Sequence, residues 1–323
     1  MRRAVRAGRP ASVLAGLLLA GLLLAVGACS AVGAPIGPAT TAVPTTAVPT
    51  AAVPTTAVPT TAVPTTAVPT PSSSVPTLAP TASPIPLPDV HVPGVNDPFC
   101  RSAERPVVLL PGTFSTVQSN FTALAAALQA DGRCVYGLNY SLAGVAPVRE
   151  SATAAAGFVQ DVRAATGADQ IDVVGFSQGG LVLRTALRLD GLAPAVATAV
   201  LIAPSFHGST ADLLTGMPAA ACPACADQTA GSALLSELDA GGDLDGQVRY
   251  ATISSRDDTV VTPVDAQSPA GPVDRVRSLV IQDRCPQARV SHLDLPADPG
   301  VLGWVGAALD SDGRPEPTAY RCP

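Results

Sequence analysis

The decapeptide IDVVGFSQGG, residues 171–180, decides the fold class of this chain. Its first six residues are mostly apolar and β-branched, which predicts a short buried strand. Ser177 follows between Gly175 and Gly179, and residues 179–189 have the composition of a helix. A sharp turn from strand to helix leaves no room for Cβ atoms beside the serine, which explains both glycines. The segment therefore predicts a turn that presents the Ser177 hydroxyl at the edge of a sheet, close to a helix N-terminus.

The pattern Gly-x-Ser-x-Gly has two interpretations. A chain of this composition contains it by chance in about one case in six, so the pattern alone also fits a serine in a structural turn. The predicted strand before Ser177 and the predicted helix after it favour the second interpretation, a nucleophilic serine.

Apolar runs that predict strands alternate with predicted helices along residues 99–323. The strands are 106–110, 134–138, 171–176, 199–203, 250–254 and 278–282, and the helices are 120–130 (capped by Ser119 or Asn120), 151–166, 179–189 and 299–309. This alternation predicts a mostly parallel sheet with helices on both faces, a three-layer α/β domain. Functional side chains are then expected in the loops at the carboxyl ends of the strands.

The composition argues against two classes of function. The formal net charge is −6, and several of the basic residues lie before residue 10. The rest of the chain is therefore still more acidic, which excludes general nucleic-acid binding. The three histidines, His91, His207 and His292, are too few for a histidine-rich metal site, and no metal or cofactor is expected.

Residues 1–29 have the order of an export signal. Arginines at the start precede an almost pure Leu, Ala, Gly and Val run at residues 12–28, which is short for a membrane span. The run ends in VGAC, which resembles a bacterial lipobox and predicts lipidation of Cys29; an ordinary cleaved signal is the alternative. The protein is expected to be exported, either as an envelope lipoprotein with a membrane anchor at Cys29 or as a secreted protein.

Residues 30–98 are predicted to be a low-complexity linker. Between residues 40 and 70 the motif TTAVP recurs every five residues. A proline in every repeat is incompatible with a helix or a central strand, so the segment is predicted to be a disordered, extended stalk. Such a stalk would hold the folded domain, residues 99–323, away from the cell envelope.

A serine hydroxyl is a weak nucleophile near neutral pH, and it needs a base that is oriented by a carboxylate. After a turn of this kind the order along the chain is serine, acid, histidine. His292 follows the last predicted strand and is the favoured base. His207 is the alternative, but it directly follows the first predicted strand after Ser177. No further strand that could carry the acid then lies between Ser177 and His207.

The segment SRDDTVVTP, residues 255–263, supplies two candidate acids after a predicted strand. Asp258 directly precedes TVVTP and is the favoured partner of the base, with Asp257 as the alternative. Asp294 lies only two residues from His292 and is expected to be a surface or supporting group.

An ester oxyanion needs at least two positioned donors. The backbone N–H of Gln178, directly after the serine, is one of them. The second is expected in the loop LLPGTFS after the first strand. There Gly112 allows the backbone to approach closely, and Thr113 offers its N–H and its hydroxyl.

Several segments together resemble one group of secreted enzymes. They are PVVLLPGTFS, CVYGLNYS, GFSQGGLV, LIAPSFHGS, QTAGSALLSELDAGGDL, YATISSRDDTVVTP and RCPQARVSHLDL, and they extend over most of residues 99–323. They are similar to the secreted bacterial class 2 lipases and to lipase B of the Candida antarctica type.

This resemblance implies an α/β-hydrolase fold. It also implies a triad of Ser177, Asp258 and His292, with Thr113 and Gln178 as oxyanion donors. Many bacterial relatives have His-Gly where this chain has Pro-Gly in the first-strand loop. The residue that contributes most from that loop, Thr113 or Phe114, therefore stays open.

Six cysteines remain besides Cys29, and their spacing alone does not select a pairing. The resemblance implies the disulfides Cys100–Cys134 and Cys285–Cys322, which leaves Cys222–Cys225 as the third. A redox centre and half of a zinc site are the alternatives for this C-x-x-C segment, and an exported protein favours the disulfide.

Together these observations predict an exported serine ester hydrolase, a triacylglycerol lipase or carboxylesterase acting on lipids or small acyl esters. The alternatives are an acyltransferase or a polyester (cutin-type) esterase with the same triad, and a surface binding protein with an inactive hydrolase domain. Loops around residues 205–230 and the helix near Pro299 are expected to line the substrate pocket. The sequence makes no prediction of the oligomeric state.

Overall fold

The computed structural model describes residues 87–323. The predicted export segment with Cys29, and residues 30–86 of the predicted linker, lie outside the described residues. None of the described helices is both long and apolar enough to cross a membrane.

Six strands form one sheet in the described part of the chain. They are β1 (Val107–Leu110), β2 (Val135–Gly137), β3 (Ile171–Phe176), β4 (Val196–Ile202), β5 (Arg249–Ser254) and β6 (Val276–Val280). Their order across the sheet is β2-β1-β3-β4-β5-β6, and every neighbouring pair is parallel. The chain reverses its direction across the sheet between β1 and β3. A parallel α/β sheet opens a crevice at such a point, outside the carboxyl ends of its strands.

Helices cover both faces of the sheet. The α-helices are α1 (Val117–Ala130), α2 (Val148–Thr166), α3 (Gln178–Leu189), α4 (Asp212–Thr215), α5 (Pro223–Asp227), α6 (Ala233–Asp239), α7 (Ile281–Arg284) and α8 (Pro299–Asp310), and the 3₁₀ turns are Ser141–Gly144, Ala193–Ala195, Val264–Gln267, Leu295–Ala297 and Pro317–Ala319. Alternate strand residues point to opposite faces. Thus Val108 packs in the layer of α2 and α3, and Val107 packs in the layer of α1 and α8. The predicted three-layer arrangement is confirmed.

Most element boundaries differ by one to three residues from the prediction, and two of these differences have a clear cause. Helix α1 begins at Val117 because Thr116 and Ser119 cap each other's backbone N–H groups; the Ser119 or Asn120 cap was wrong. The last predicted strand, 278–282, was also misplaced, because β6 ends at Val280 and α7 begins at the next residue. The apolar run continues across this boundary, so hydrophobicity alone does not mark it.

The last residues of the predicted linker pack against the folded domain. Val90 and Val92 are buried. Asn96 donates from Nδ2 to the Gly137 carbonyl oxygen at 2.9 Å and accepts from the Gly137 N–H at 2.8 Å. These contacts attach the segment to the edge strand β2, so the folded unit begins before residue 99.

Three disulfide bonds join the six cysteines of the described chain. They are Cys100–Cys134, Cys222–Cys225 and Cys285–Cys322. The first links the entry of the domain to the start of β2, and the third links the end of α7 to the C-terminal segment. The C-x-x-C segment is a disulfide at the start of α5 in this structure.

Candidate active site

Ser177 occupies a strained turn between β3 and α3. Its backbone has φ 53° and ψ −120°, in the region of positive φ that residues with a Cβ atom rarely adopt. A Cβ atom on Gly179 would lie 2.1 Å from the Leu110 carbonyl oxygen, so only glycine lets the start of α3 approach β1 this closely. The Ser177 side chain therefore lies at the carboxyl ends of the central strands and points out of the sheet.

His292 connects Ser177 to a buried carboxylate. Its Nε2 lies 3.0 Å from Ser177 Oγ, and its Nδ1 lies 2.7 Å from Asp258 Oδ2. All three residues are buried. Because an ionised carboxylate only accepts hydrogen bonds, Nδ1 carries the proton and donates to Asp258, which leaves Nε2 free to accept from the serine hydroxyl. The three residues come from the ends of β3, β5 and β6, and the fold brings them together across 115 residues of sequence between Ser177 and His292.

The structure selects Asp258 and not Asp257 as the partner of His292. Asp258 Oδ1 accepts the backbone N–H groups of Val260 at 2.8 Å and Val261 at 2.9 Å, and this leaves Oδ2 for the imidazole. Asp257 is partly exposed, and its carboxylate lies near Gln282 and Arg289 instead.

The predicted oxyanion donors lie beside Ser177. The Gln178 N–H is the first of α3, so it has no intrahelical acceptor and points toward the helix N-terminus. Gly112 carries the β1 loop close to the serine, because a Cβ atom on this glycine would be 3.2 Å from the Ser177 Cβ. Thr113 follows it, and the Thr113 hydroxyl oxygen accepts a hydrogen bond from the side chain of Gln228 at 2.9 Å.

The side chain of Phe114 is exposed and is one of those that line an apolar pocket at Ser177. The Thr113 hydroxyl is held in place by Gln228, whereas the Phe114 side chain is an exposed phenyl ring without a polar group. This difference favours Thr113 as the candidate donor from the loop. The Gln178 side chain has a separate structural contact, since its Nε2 donates to the Gly144 carbonyl oxygen at 2.8 Å.

Two buried glutamines at this site were not predicted from the sequence. Gln228 accepts from the Ser205 hydroxyl at 2.9 Å through Oε1 and donates to Thr113 through Nε2. Gln267 donates from Nε2 to Asp258 Oδ2 at 3.0 Å. Both glutamines are fully buried. Gln228 directly follows the short helix α5 and Gln267 ends a 3₁₀ turn, so neither lies in an element long enough to show a periodic pattern. Only the QTAGS segment, quoted for the family resemblance, contained one of them.

An apolar pocket of about 350 Å³ opens at Ser177. Besides the serine and His292, its lining includes the aliphatic side chains of Leu213, Leu214, Val260 and Leu293. Helix α4 and the loops after β5 and β6 supply these four side chains, and the loop after β1 adds Thr113 and Phe114 to the lining. The expected contribution from the helix near Pro299 was wrong, because α8 packs under the opposite face of the sheet and provides no lining residue.

His207 is not part of the site around Ser177. Its Nδ1 lies 3.3 Å from Asp239 Oδ1, and its Nε2 lies 3.2 Å from Asp243 Oδ2. These side chains could be arranged around a metal ion. However, the buried guanidinium of Arg184 already contacts both carboxylates, at 2.8 and 3.4 Å, and supplies their positive charge.

Comparisons with known proteins identify the fold. A family model described as the alpha/beta hydrolase fold matches residues 105–221. Among solved structures, lipase B of Aspergillus fumigatus is 24% identical with a TM-score of 0.61, and the match covers 71% of this chain. The chain spans 57% of the length of that lipase. A comparison with curated protein sequences gives no significant match.

Two more distant structures are a phospholipase and a lipase. Phospholipase PlaB of Legionella pneumophila is 16% identical, with a TM-score of 0.42 over 48% of this chain and 39% of the phospholipase. A lipase of Bacillus licheniformis in its mature form is also 16% identical, with a TM-score of 0.41 over 50% of this chain and 69% of the lipase. The family model and the likeness to the Aspergillus enzyme show that the chain has the α/β-hydrolase fold, as predicted.

Proposed function

We propose that this protein is an exported serine ester hydrolase, a lipase or carboxylesterase, that uses Ser177, His292 and Asp258 as a catalytic triad. One observation carries the proposal: Ser177 Oγ lies 3.0 Å from a histidine nitrogen whose ring is held at 2.7 Å by a buried carboxylate. This is the arrangement of nucleophile, base and orienting acid that acyl transfer requires.

The reaction follows from the direction of these hydrogen bonds. His292 Nε2 takes the proton of Ser177 as Oγ attacks the ester carbonyl carbon, and the resulting imidazolium gives this proton to the departing alcohol. A water molecule then attacks the acyl-serine, with His292 again as the base, and the carboxylic acid product leaves. Asp258 keeps the proton on Nδ1 and stabilises the positive charge of the imidazolium in both steps.

Thr113 and Gln178 are proposed to stabilise the oxyanion. The Gln178 N–H lies at the N-terminus of α3, where the backbone favours negative charge. The Thr113 hydroxyl already accepts from Gln228, so its own hydrogen is free to donate toward the reacting carbonyl. Removing one such donor typically lowers kcat by about 10² to 10³-fold.

The pocket supports an acyl ester as substrate. Its volume of about 350 Å³ and its aliphatic lining fit an acyl chain better than a charged or sugar group. The resemblance to class 2 lipases and to lipase B supports the same substrate class. A triacylglycerol or another lipid ester is therefore the proposed substrate, and shorter esters would occupy part of the pocket.

Hydrolysis of p-nitrophenyl esters with acyl chains from two to about sixteen carbons tests the proposal on the full chain. Ser177→Ala and His292→Ala should each lower kcat/KM by at least about 10⁴-fold without unfolding the protein. Ser102→Ala and His207→Ala are matched controls, because Ser102 is exposed and His207 lies outside the site. Full activity in either triad variant would exclude the proposed mechanism.

The chain-length profile separates the possible ester substrates. Activity that persists on long chains supports a lipase, whereas activity confined to the shortest chains supports a carboxylesterase. A folded protein that hydrolyses no ester, but whose Ser177 reacts with a covalent fluorophosphonate probe, would instead support the acyltransferase alternative. A protein that does neither would support the binding-protein alternative.

Export and lipidation at Cys29 are part of the proposal. The three disulfide bonds of the folded domain support an oxidising location. Growth with a labelled fatty acid should label the wild-type protein in the envelope fraction, and Cys29→Ala should lose the label. The adjacent Ser30→Ala is the matched control. Unlabelled wild-type protein in the culture medium would indicate an ordinary cleaved signal.

A further inference from the structure

The side chain of Gln267 is fully buried, and its NH₂ group donates hydrogen bonds to two acceptors. It lies at the end of the 3₁₀ turn Val264–Gln267, in the loop that follows β5 and carries Asp258. Its Nε2 donates to Asp258 Oδ2 at 3.0 Å and to the Val261 carbonyl oxygen at 2.8 Å. The side chain is fully buried and lines no part of the substrate pocket.

The surroundings fix the orientation of this amide. An ionised carboxylate and a backbone carbonyl can only accept hydrogen bonds, so the NH₂ group of Gln267 must face both of them. The Gln267 Oε1 then points away and is buried without a hydrogen-bond partner among the described residues. An unsatisfied buried amide oxygen is unfavourable, and an aliphatic side chain would fill the same space without it. The polar side chain at this position is therefore explained by its two donated bonds.

The Asp258 carboxylate accepts four hydrogen bonds, two at each oxygen. Its Oδ1 accepts two backbone N–H groups, and its Oδ2 accepts Gln267 and His292. No arginine of the described residues pairs with this carboxylate. Each hydrogen bond to the Asp258 carboxylate contributes to fixing its orientation. Gln267 is the one side chain other than His292 that does so.

We propose that Gln267 is a positioning residue for the histidine–aspartate pair. It acts through Asp258, by holding Oδ2 in the direction of His292 Nδ1. The inference rests on the proposed function of the triad, and it adds a residue that determines how well the acid orients the base. Gln267 itself touches neither the serine nor the pocket.

Replacing the amide by an aliphatic group removes the donor and keeps the volume. Gln267→Leu should lower kcat by about 10- to 100-fold, the range expected for a hydrogen bond to a charged group. KM for a short soluble ester should change less than about threefold, because the amide does not contact substrate. Gln247→Leu is the matched control, since Gln247 is exposed at the opposite end of β5. If Gln267→Leu fails to fold, Gln267→Met preserves the side-chain length and makes the same comparison.

Gln267→Glu replaces the amide by a carboxyl group, which donates a hydrogen bond only while it is protonated. Two carboxyl groups in one buried site do not ionise together, so the introduced group is protonated at low pH and donates to Asp258 Oδ2. At higher pH it loses this proton and becomes a second negative charge. The titratable groups on the elements packed around Gln267 are Asp258, His292, His207, Asp243 and Asp265. These groups are shared by all the variants, so a ratio between two variants reports the group at position 267.

The decisive measurement is the ratio of kcat/KM for Gln267→Glu to that for Gln267→Leu, corrected for folded fraction by circular dichroism. Between about pH 5.5 and about pH 9 we expect the ratio to fall from roughly 10 to 1 or below. A ratio that stays constant within twofold, or a leucine variant with wild-type kcat, would overturn the inference.

A second measurement is independent of ester turnover. The His292 Nδ1–H proton resonance should move between the wild-type protein and Gln267→Leu, because Oδ2 loses a competing donor. Only three histidines need to be assigned. If the protein hydrolyses no ester, the proposed function fails, but this resonance still tests the role of Gln267. An unchanged resonance would contradict that role whether or not the protein is an esterase.

Discussion

Gln228 Nε2 donates a hydrogen bond to Thr113 Oγ1 at 2.9 Å, between residues 115 positions apart in the sequence. The same amide donates to the Ala224 carbonyl oxygen at 3.1 Å, and its Oε1 accepts from the Ser205 hydroxyl. All the hydrogen-bonding atoms of the Gln228 side chain are therefore engaged, and its rotamer is fixed. The β1 loop at Thr113 is thereby held against the segment that follows β4 and the end of α5.

The first prediction concerns this glutamine. Gln228→Leu should lower kcat by about 10- to 100-fold, because the Thr113 hydroxyl loses the partner that directs it toward the oxyanion. KM for a short ester should change less, since the loss affects the transition state more than the bound ester. Steady-state kinetics on p-nitrophenyl acetate measures both constants. An unchanged kcat in a folded Gln228→Leu protein would show that the contact is only structural.

The second prediction separates the hydroxyl of Thr113 from its backbone. Thr113→Val keeps the shape of the side chain and removes only the hydroxyl, so kcat should fall by about 10² to 10³-fold. Thr113→Ser keeps the donor and should remain within about tenfold of the wild-type protein.

The double variant of Thr113→Val and Gln228→Leu adds a test of coupling. Both changes act through one hydroxyl, so the double variant should be little worse than Thr113→Val alone. Fully additive losses would mean that Gln228 acts on the reaction by another route.

The residues at strand ends could be predicted because the fold constrains their order. Ser177 lies in a turn that only certain neighbours permit, and the acid and the histidine follow the later strands of the sheet. The sequence therefore pointed to Asp258 and His292, which the structure brings to hydrogen-bonding distance of each other.

Gln228 and Gln267 could not be predicted in the same way. Each lies in a loop or a short turn, where the side-chain direction depends on tertiary contacts and not on a period of the sequence. A buried glutamine also looks like any other polar loop residue in a single sequence. The cap of α1 at Thr116 was missed for a related reason, because several hydroxyl and amide side chains precede the helix and the structure alone shows which one accepts.

The third prediction compares two glycines in helices. A Cβ atom on Gly179 would meet the Leu110 carbonyl oxygen at 2.1 Å, so Gly179→Ala must push α3 away from β1. We expect this change to lower the free energy of unfolding by at least about 2 kcal/mol and to remove activity with it. Gly157 is exposed on α2 with nothing within 4 Å, so Gly157→Ala should raise the free energy of unfolding by about 0.5 to 1 kcal/mol. Urea unfolding measures both, and equal effects would contradict the close approach of α3 to β1.

The last prediction concerns a buried ion pair at the other end of the sheet. Asp172 of β3 is fully buried and accepts from Arg105 Nε at 2.9 Å, and Arg105 also contacts Asp312 at 2.6 Å. Burial raises the pKa of Asp172 above its ordinary value of 3.8, and the opposing effect of Arg105 does not fully compensate. The Asp172 carboxylate therefore binds a proton more tightly in the folded protein than in the unfolded chain.

The sign of the pH dependence follows from this direction. The stabilisation that comes from this tighter proton binding is fully present below pH 3.8, and it is lost as the pH rises through the higher pKa of Asp172 in the folded state. Asp172→Asn has no such titration. The free energy of unfolding of Asp172→Asn minus that of the wild-type protein should therefore increase as the pH rises from about 3 to about 6. Urea unfolding of both proteins across this range measures the difference, with Asp161→Asn on the exposed side of α2 as the control. A difference that moves in the opposite direction would mean that Arg105 outweighs burial and that the pKa of Asp172 lies below its ordinary value.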